Sequence, residues 1–227
     1  MAMSIGGGIE IGGGISIIDL KTIPLPEIGS AYGGGFFAGQ ISTTGDGVAT
    51  HNLVVGPKSS TNLYLPWSQT FASVTNASSD INGPTNTTNI SNQGYYGAAF
   101  YIENYITVGG FTDWYLPAKN ELEICFYNLK NYPYSNNTSS GTNPNAVPAR
   151  ASNYTSGSPA QTSATQFQAF GGTEFFVTAS QGYWSSTQST TNTSFAWRQS
   201  FVTGYQNATS YHKLSYLYAR AVRRVAV

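Results

Sequence analysis

Apolar positions fall in three different rhythms along this chain. Between Ala31 and Gly56 they come in short runs broken by glycine, Gly34-Gly35-Phe36-Phe37-Ala38-Gly39-Gln40-Ile41-Ser42 and then Leu53-Val54-Val55. That predicts short strands joined by a hairpin turn at Thr43-Thr44-Gly45-Asp46-Gly47. Trp67 to Asn92 is rich in turn residues and poor in branched aliphatics, and reads as a surface excursion. From Tyr96 to Ile106 the period changes: Ala98, Tyr101, Ile102 and Tyr105 lie at helical spacing, which predicts a short first helix. Leu116-Pro117 opens a second helix with proline in its first turn, Glu121 near its N-terminal end and Lys130 near its C-terminal end. Leu122, Cys125, Phe126 and Leu129 form the stripe that this helix should bury.

From Asn131 to Gly172 periodicity disappears into Ser, Thr, Asn, Pro and Gly, with Tyr154, Phe167 and Phe170 as the strong anchors, so one long loop or a pair of loops is expected there. Glu174 to Val177, Tyr183 to Ser186, Phe195 to Phe201 and Tyr216 to Val225 then read as strands. Their alternation implies an antiparallel sheet with one buried face. By parity Phe195, Trp197, Gln199 and Phe201 share one face, and Ala196, Arg198 and Ser200 the other. The fold class is therefore α+β, mostly antiparallel β with two short helices and long loops, over residues 31–227.

Residues 1–30 are different. Ile5-Gly6-Gly7-Gly8-Ile9-Glu10 repeats at once as Ile11-Gly12-Gly13-Gly14-Ile15-Ser16, followed by Ile17, Ile18 and Leu20. Three successive glycines cost too much backbone entropy for an isolated helix or strand, yet they let another chain approach closely. A flexible linker has no use for Ile5, Ile9, Ile11, Ile15 and Ile17, so the segment reads as an attachment arm that pairs with a partner or with its own copies by strand addition. Pro24 and Pro26 make an extended connector to the head.

Composition sharpens this picture through charge. Only 9% of the residues are charged, and the net charge is zero, against roughly 25% charged residues in average proteins. Solubility then rests on Ser, Thr, Asn and Gln, and neither nucleic acid nor an anionic membrane gains electrostatic attraction. No apolar run is long enough to span a bilayer, and no basic-then-apolar leader opens the sequence. Eight Asn-x-Ser/Thr triplets, Asn76-Ala77-Ser78 among them, follow from the abundance of those residues. The single cysteine, Cys125, excludes an intrachain disulfide and a Cys-x-x-Cys metal site.

The inventory for catalysis is thin. His51 and His212 have no Glu, Cys or second His at a metal-ligand spacing. All ten carboxylates lie at or before Glu174, and neither a Gly-x-Ser-x-Gly elbow nor a His-Glu-x-x-His helix occurs. No enzyme activity and no cofactor are expected.

Four pieces in order carry a resemblance: Gly34 to Ser42, with Leu53 to Lys58; Thr112-Asp113-Trp114-Tyr115-Leu116-Pro117-Ala118-Lys119-Asn120-Glu121-Leu122; Gly182-Tyr183-Trp184-Ser185-Ser186-Thr187; and Ala219-Arg220-Ala221-Val222-Arg223-Arg224. From about Gly33 to Val227 the chain resembles the C-type-lectin-like domain of phage tail-fibre tips and retroelement-diversified receptor-binding proteins, distantly shared with formylglycine-generating enzymes. The reactive cysteine pair of those enzymes has no counterpart here, and the Glu-Pro-Asn or Gln-Pro-Asp loop of calcium lectins is missing, its nearest candidate being Asn143-Pro144-Asn145. The resemblance implies a non-enzymatic virion protein exposed on a phage particle. Its arm would bind other tail or particle proteins, its head a host surface glycan or protein, and it would be a homo-oligomer, with a trimer as one option. A decoration or connector protein of the virion and a bacterial surface adhesin are the alternatives.

In the resembling tail fibres the C-terminal segment contacts the receptor. Here that segment mixes aromatics with amides and hydroxyls, a combination that gives contact area at low entropic cost. The expected ligand-binding residues are Gln188, Asn192, Thr193, Phe195, Trp197, Gln199, Tyr205, Asn207, Tyr211 and His212, with Trp184, Ser185 and Ser186 as framework. Strands bury alternate residues, which makes Trp197 a weaker candidate than the loop residues. Residues 175–227 hold five basic side chains and no acid, so an acidic glycan is a reasonable ligand if several of them face outward. Arg220, Arg223 and Arg224 have the alternative role of pairing with Asp113, Glu121 or Glu123.

Overall fold

The glycine-punctuated runs after Ala31 form a sheet because each glycine sits where the backbone must turn or be approached. The computed structural model describes residues 24–177 and 182–227, preceded by the backbone of two short strands, β1 (Glu10–Ile11) and β2 (Ile15–Ser16). Those two pair antiparallel, Ile11 opposite Ile15, as a ribbon of their own. Ile5, Ile9 and Ile17 of the expected arm lie outside the described residues.

The first head sheet has the order β12 (Val222–Ala226), β5 (His51–Val55), β4 (Gly35–Ile41) and β3 (Ala31–Tyr32), all antiparallel, with β7 (Ala146–Val147) added to β4. The turn between β4 and β5 falls on the expected Thr43 to Gly47 segment, where the Ser42 hydroxyl donates to Asp46 Oδ1 at 2.8 Å. A bulge separates Phe37 from Gly39, and Gly39 has a φ of 129°. A Cβ there would lie 2.5 Å from the Asn128 amide, so glycine is what lets the long helix reach the sheet.

The second sheet runs β10 (Gln206–Asn207), β9 (Ala196–Gln199), β8 (Tyr183–Gln188), β11 (Tyr216–Arg220) and β6 (Asn62–Pro66). It is antiparallel except where β8 meets β11. Helices α1 (Lys58–Thr61), α2 (Gly83–Ser91), α3 (Ala98–Tyr105) and α4 (Lys119–Leu129) complete the head. The α+β class with mostly antiparallel sheets thus holds, but four helices replace the two expected.

Two apolar clusters fill the interior. One packs Leu122, Cys125, Phe126 and Leu129 of α4, the expected stripe, against Ala38, Ile41, Leu53 and Phe201. The other packs Ala98, Ala99 and Ile102 of α3 around Trp67, Trp114 and Trp184. Cys125 is fully buried, and burial pushes its thiol far above the ordinary value.

Five expectations change. Trp67 to Asn92 is no mere excursion: it buries Trp67, Val74, Ala77 and Ile90 and contains α2. Tyr101 and Tyr105 of α3 face solvent, because Ala98, Ala99 and Ile102 take the inward face. Pro117 precedes α4 rather than standing in its first turn. Residues 131–172 are a loop, as expected, but one pinned to the core. The Lys130 ammonium donates to Asn136 Oδ1 at 2.6 Å and to the Pro159 carbonyl at 3.1 Å, and Tyr154 and Phe167 are buried, but Phe170, the third expected anchor, faces solvent. Glu174 to Val177 forms no strand.

Candidate functional site

The motifs that carry the sequence resemblance meet in space. At the start of α4 the first amide groups, which have no partner within the helix, are satisfied from three sides. The Glu121 carboxylate accepts from Ala118 N at 2.8 Å, Thr187 Oγ1 from Lys119 N at 2.9 Å, and the Asp80 carbonyl from Asn120 N at 2.8 Å. Ser186 N donates to the Pro117 carbonyl at 2.8 Å, and Tyr115 forms a two-way bridge with Val222. Glu121, fully buried, also accepts from the Tyr115 hydroxyl and from Arg224 Nε at 2.8 Å. Burial raises its pKa, and Arg224 opposes the shift. Trp114 to Glu121, Tyr183 to Thr187 and Val222 to Arg224 therefore make one locked junction, which assigns these motifs to framework.

A second buried acid, Glu123, performs the same service for the long loop. It accepts from Asn143 Nδ2 at 2.5 Å, from the Tyr154 hydroxyl at 2.6 Å and from Arg150. Desolvation raises its pKa, with Arg150 opposing.

The expected binding residues separate into two groups. Gln188, Gln199 and Asn207 are buried, which corrects their assignment to the surface. Gln188 Oε1 accepts from Val74 N at 2.8 Å and from the Lys213 ammonium at 2.6 Å. The Gln199 amide donates to the Tyr154 hydroxyl and to the Gly204 carbonyl, each at 3.4 Å. Asn207 accepts from Arg198 Nε at 3.2 Å and donates to Ser210 Oγ at 2.6 Å. These amides hold the turns in place from beneath.

Above them, Asn192, Tyr205 and His212 are exposed, and Thr193, Phe195, Trp197 and Tyr211 are half-buried. The His212 ring lies 4.4 Å from that of Phe195, tilted by 30°, and 5.5 Å from that of Phe71, edge to face. Phe195 and His212 are also bridged through their backbones, and Lys213 N donates to the Ser194 carbonyl at 3.0 Å. Arg198 stacks on Tyr211 with its guanidinium carbon 4.7 Å from the ring centre. Trp197 is not bare: the Lys119 ammonium sits 4.3 Å over its ring while bonding Asp80 at 3.1 Å. Phe71, from the segment read as an excursion, joins this surface without a signal in the sequence.

The basic side chains of residues 175–227 do not present an anion site. Lys213 and Arg220 are fully buried, Arg223 pairs with Asp113 and Arg224 with Glu121, and Arg198 is held by Tyr211 and Asn207. Burial lowers the Lys213 pKa to about 8. Among the described residues no group of three or more His, Cys, Asp and Glu converges as metal ligands, and no helix is long and apolar enough to cross a membrane.

Comparison with protein-family models, with curated proteins and with solved structures gives no match.

Proposed function

We propose that this chain is a non-enzymatic receptor-binding or fibre-tip protein of a phage virion, with a C-type-lectin-like head that contacts a host surface glycan or protein through the turns after β8 and around β10. The observation that carries this reading is the Phe71, Phe195 and His212 cluster, which stands at the surface on turns whose bases are fixed by buried side chains. A contact surface ordered before its ligand arrives loses little conformational entropy on binding. Aromatic rings on a turn that also carries Asn192 and Thr193 supply area and adaptable hydrogen bonds without charge. The glycine-rich arm would attach the head to other tail or particle proteins. A two-stranded ribbon alone is marginal in water, so the pairing of β1 with β2 favours completion of the arm by further strands from a partner or from other copies.

Competition for adsorption tests the reading. Full-length protein added to host cells should block attachment of the particle, and Phe195→Ala/His212→Ala should lose that blocking while keeping its melting temperature. Wild-type protein that neither binds cells nor blocks adsorption would defeat the proposal and favour a decoration or connector role.

A further inference from the structure

Helix α3 turns an unusual surface outward. Its inner side is fixed: Ala98, Ala99 and Ile102 have no exposure, and Gly97 at its start lies so close to the Trp67 carbonyl that a Cβ would come within 2.4 Å of the oxygen. On its outer side Tyr96, Phe100, Tyr101 and Tyr105 form one chain of ring contacts. Tyr96 and Phe100 are 4.9 Å apart between centroids, Phe100 and Tyr101 6.1 Å, and Tyr101 and Tyr105 5.4 Å. Tyr105 is 65% exposed, Tyr96 54% and Tyr101 36%. Contiguous exposed aromatic surface of this kind, unlike a scattered apolar residue, marks an interaction site.

We propose that this ridge is a second ligand site, a stacking platform for a neutral polysaccharide. It rests on the reading of the head as a binder of surface glycans but uses residues remote in sequence from the turns assigned above. Charge selects the partner. The rings of the ridge are themselves uncharged, and Glu103, the one acid of α3, directs its carboxylate to the flank facing α2, where it accepts from the Thr88 hydroxyl at 2.5 Å. A charged partner would lose hydration there and gain no counter-ion. An aliphatic protein surface would bury the phenol hydroxyls without acceptors. A sugar ring answers both demands, with an apolar C–H face for the ring and a rim of hydroxyls for the phenol oxygens. The rings support one another and the helix beneath is packed, so little side-chain freedom remains to be lost on binding.

The test is affinity electrophoresis of the full-length protein in gels containing dextran, galactomannan or hydroxyethyl cellulose, with alginate as the anionic counterpart. At least one neutral polymer should retard the wild type, and alginate should not. Tyr101→Ala/Tyr105→Ala should weaken retardation by about tenfold, from two stacked rings at about 0.7 kcal/mol each. Tyr101→Phe/Tyr105→Phe should keep most of it, since the ring faces remain. Phe195→Ala/His212→Ala should leave it unchanged, which separates failure of this platform from failure of the turns. Retardation by no neutral polymer, or retardation indifferent to the loss of both rings, overturns the proposal. So does a change of oligomeric state in Tyr101→Ala/Tyr105→Ala by sedimentation velocity, which would make the ridge a contact between copies.

Discussion

Glu121→Ala is the sharpest probe of the junction that supports the head. The substitution removes an acceptor from three donors at once: the buried Tyr115 hydroxyl and Ala118 N, and the half-buried Arg224 Nε, whose guanidinium keeps the Ile81 carbonyl. Deleting one partner of a buried ion pair costs about 3–5 kcal/mol, because the other charge stays inside without compensation. With a urea slope of about 2–3 kcal/mol per molar, the unfolding midpoint should fall by about 1–2.5 M. Urea titration followed by tryptophan fluorescence suits this, since Trp67, Trp114 and Trp184 are all buried. Arg224→Ala should cost less, because Glu121 keeps Tyr115 and Ala118 and can take up a proton. The double variant should be less damaged than the sum of the singles by about 1–3 kcal/mol, as expected for groups in direct contact. A midpoint shift below about 0.5 M for Glu121→Ala, or strict additivity in the double variant, would refute the claim that this acid locks the three motifs together.

Three further outcomes follow from the same structure. Gln188→Ala leaves Val74 N without its acceptor and the Lys213 ammonium with the Ala72 carbonyl in place of two acceptors and should cost about 2–3 kcal/mol in the same titration, whereas Thr193→Ala should stay within about 0.5 kcal/mol. At Gly204, φ is 75° and a Cβ would lie 2.3 Å from the Phe126 ring, so Gly204→Ala should cost about 2 kcal/mol or more by strain and overlap together. Lys213 has its pKa lowered by burial to about 8, from an ordinary 10.5. The unfolded chain then binds more protons than the folded one between those values, so its contribution to stability rises with pH through that window. Urea midpoints measured from pH 7.5 to 10.5 should rise more steeply in the wild type than in Lys213→Met, where the buried Lys130, whose pKa burial also lowers, still contributes.

What the sequence made legible was the apolar part of the fold. The helical stripe Leu122, Cys125, Phe126 and Leu129, the hairpin at Thr43 to Gly47 and most of the C-terminal strands follow from spacing and turn chemistry, and they are where the structure puts them. Polar burial was illegible. Helix α2 buries Asn86, Thr87 and Ser91, whose partners lie at Ser79, Leu116 and Asn104, so no apolar period announces it. Gln188, Gln199 and Asn207 look like surface amides because composition cannot distinguish an amide aimed at water from one aimed at a buried lysine or tyrosine. On α3 the spacing predicted a helix correctly but not its facing. Alanine and tyrosine both tolerate either side, and the close approach at Gly97 turned the tyrosines out.

The placement of charge explains why the proposed recognition would fall to rings and amides. Nine of the ten cations are described. Five are in ion pairs, with Glu174, Asp80, Glu123, Asp113 and Glu121, while Lys130, Lys213 and Arg220 are buried and Arg198 is stacked on Tyr211. Each buried cation holds main-chain carbonyls that no strand or helix satisfies: Pro159 by Lys130, Ala72 by Lys213, Gly56 and Thr173 by Arg220. Long irregular segments can be packed against a core only if their backbone groups find partners, and in this chain the scarce charges meet that demand. With these cations paired, buried or stacked, a ligand would meet mainly neutral polar groups and aromatic faces at the proposed surfaces. Discrimination there would come from shape and hydrogen-bond geometry, with little long-range attraction for salt to screen.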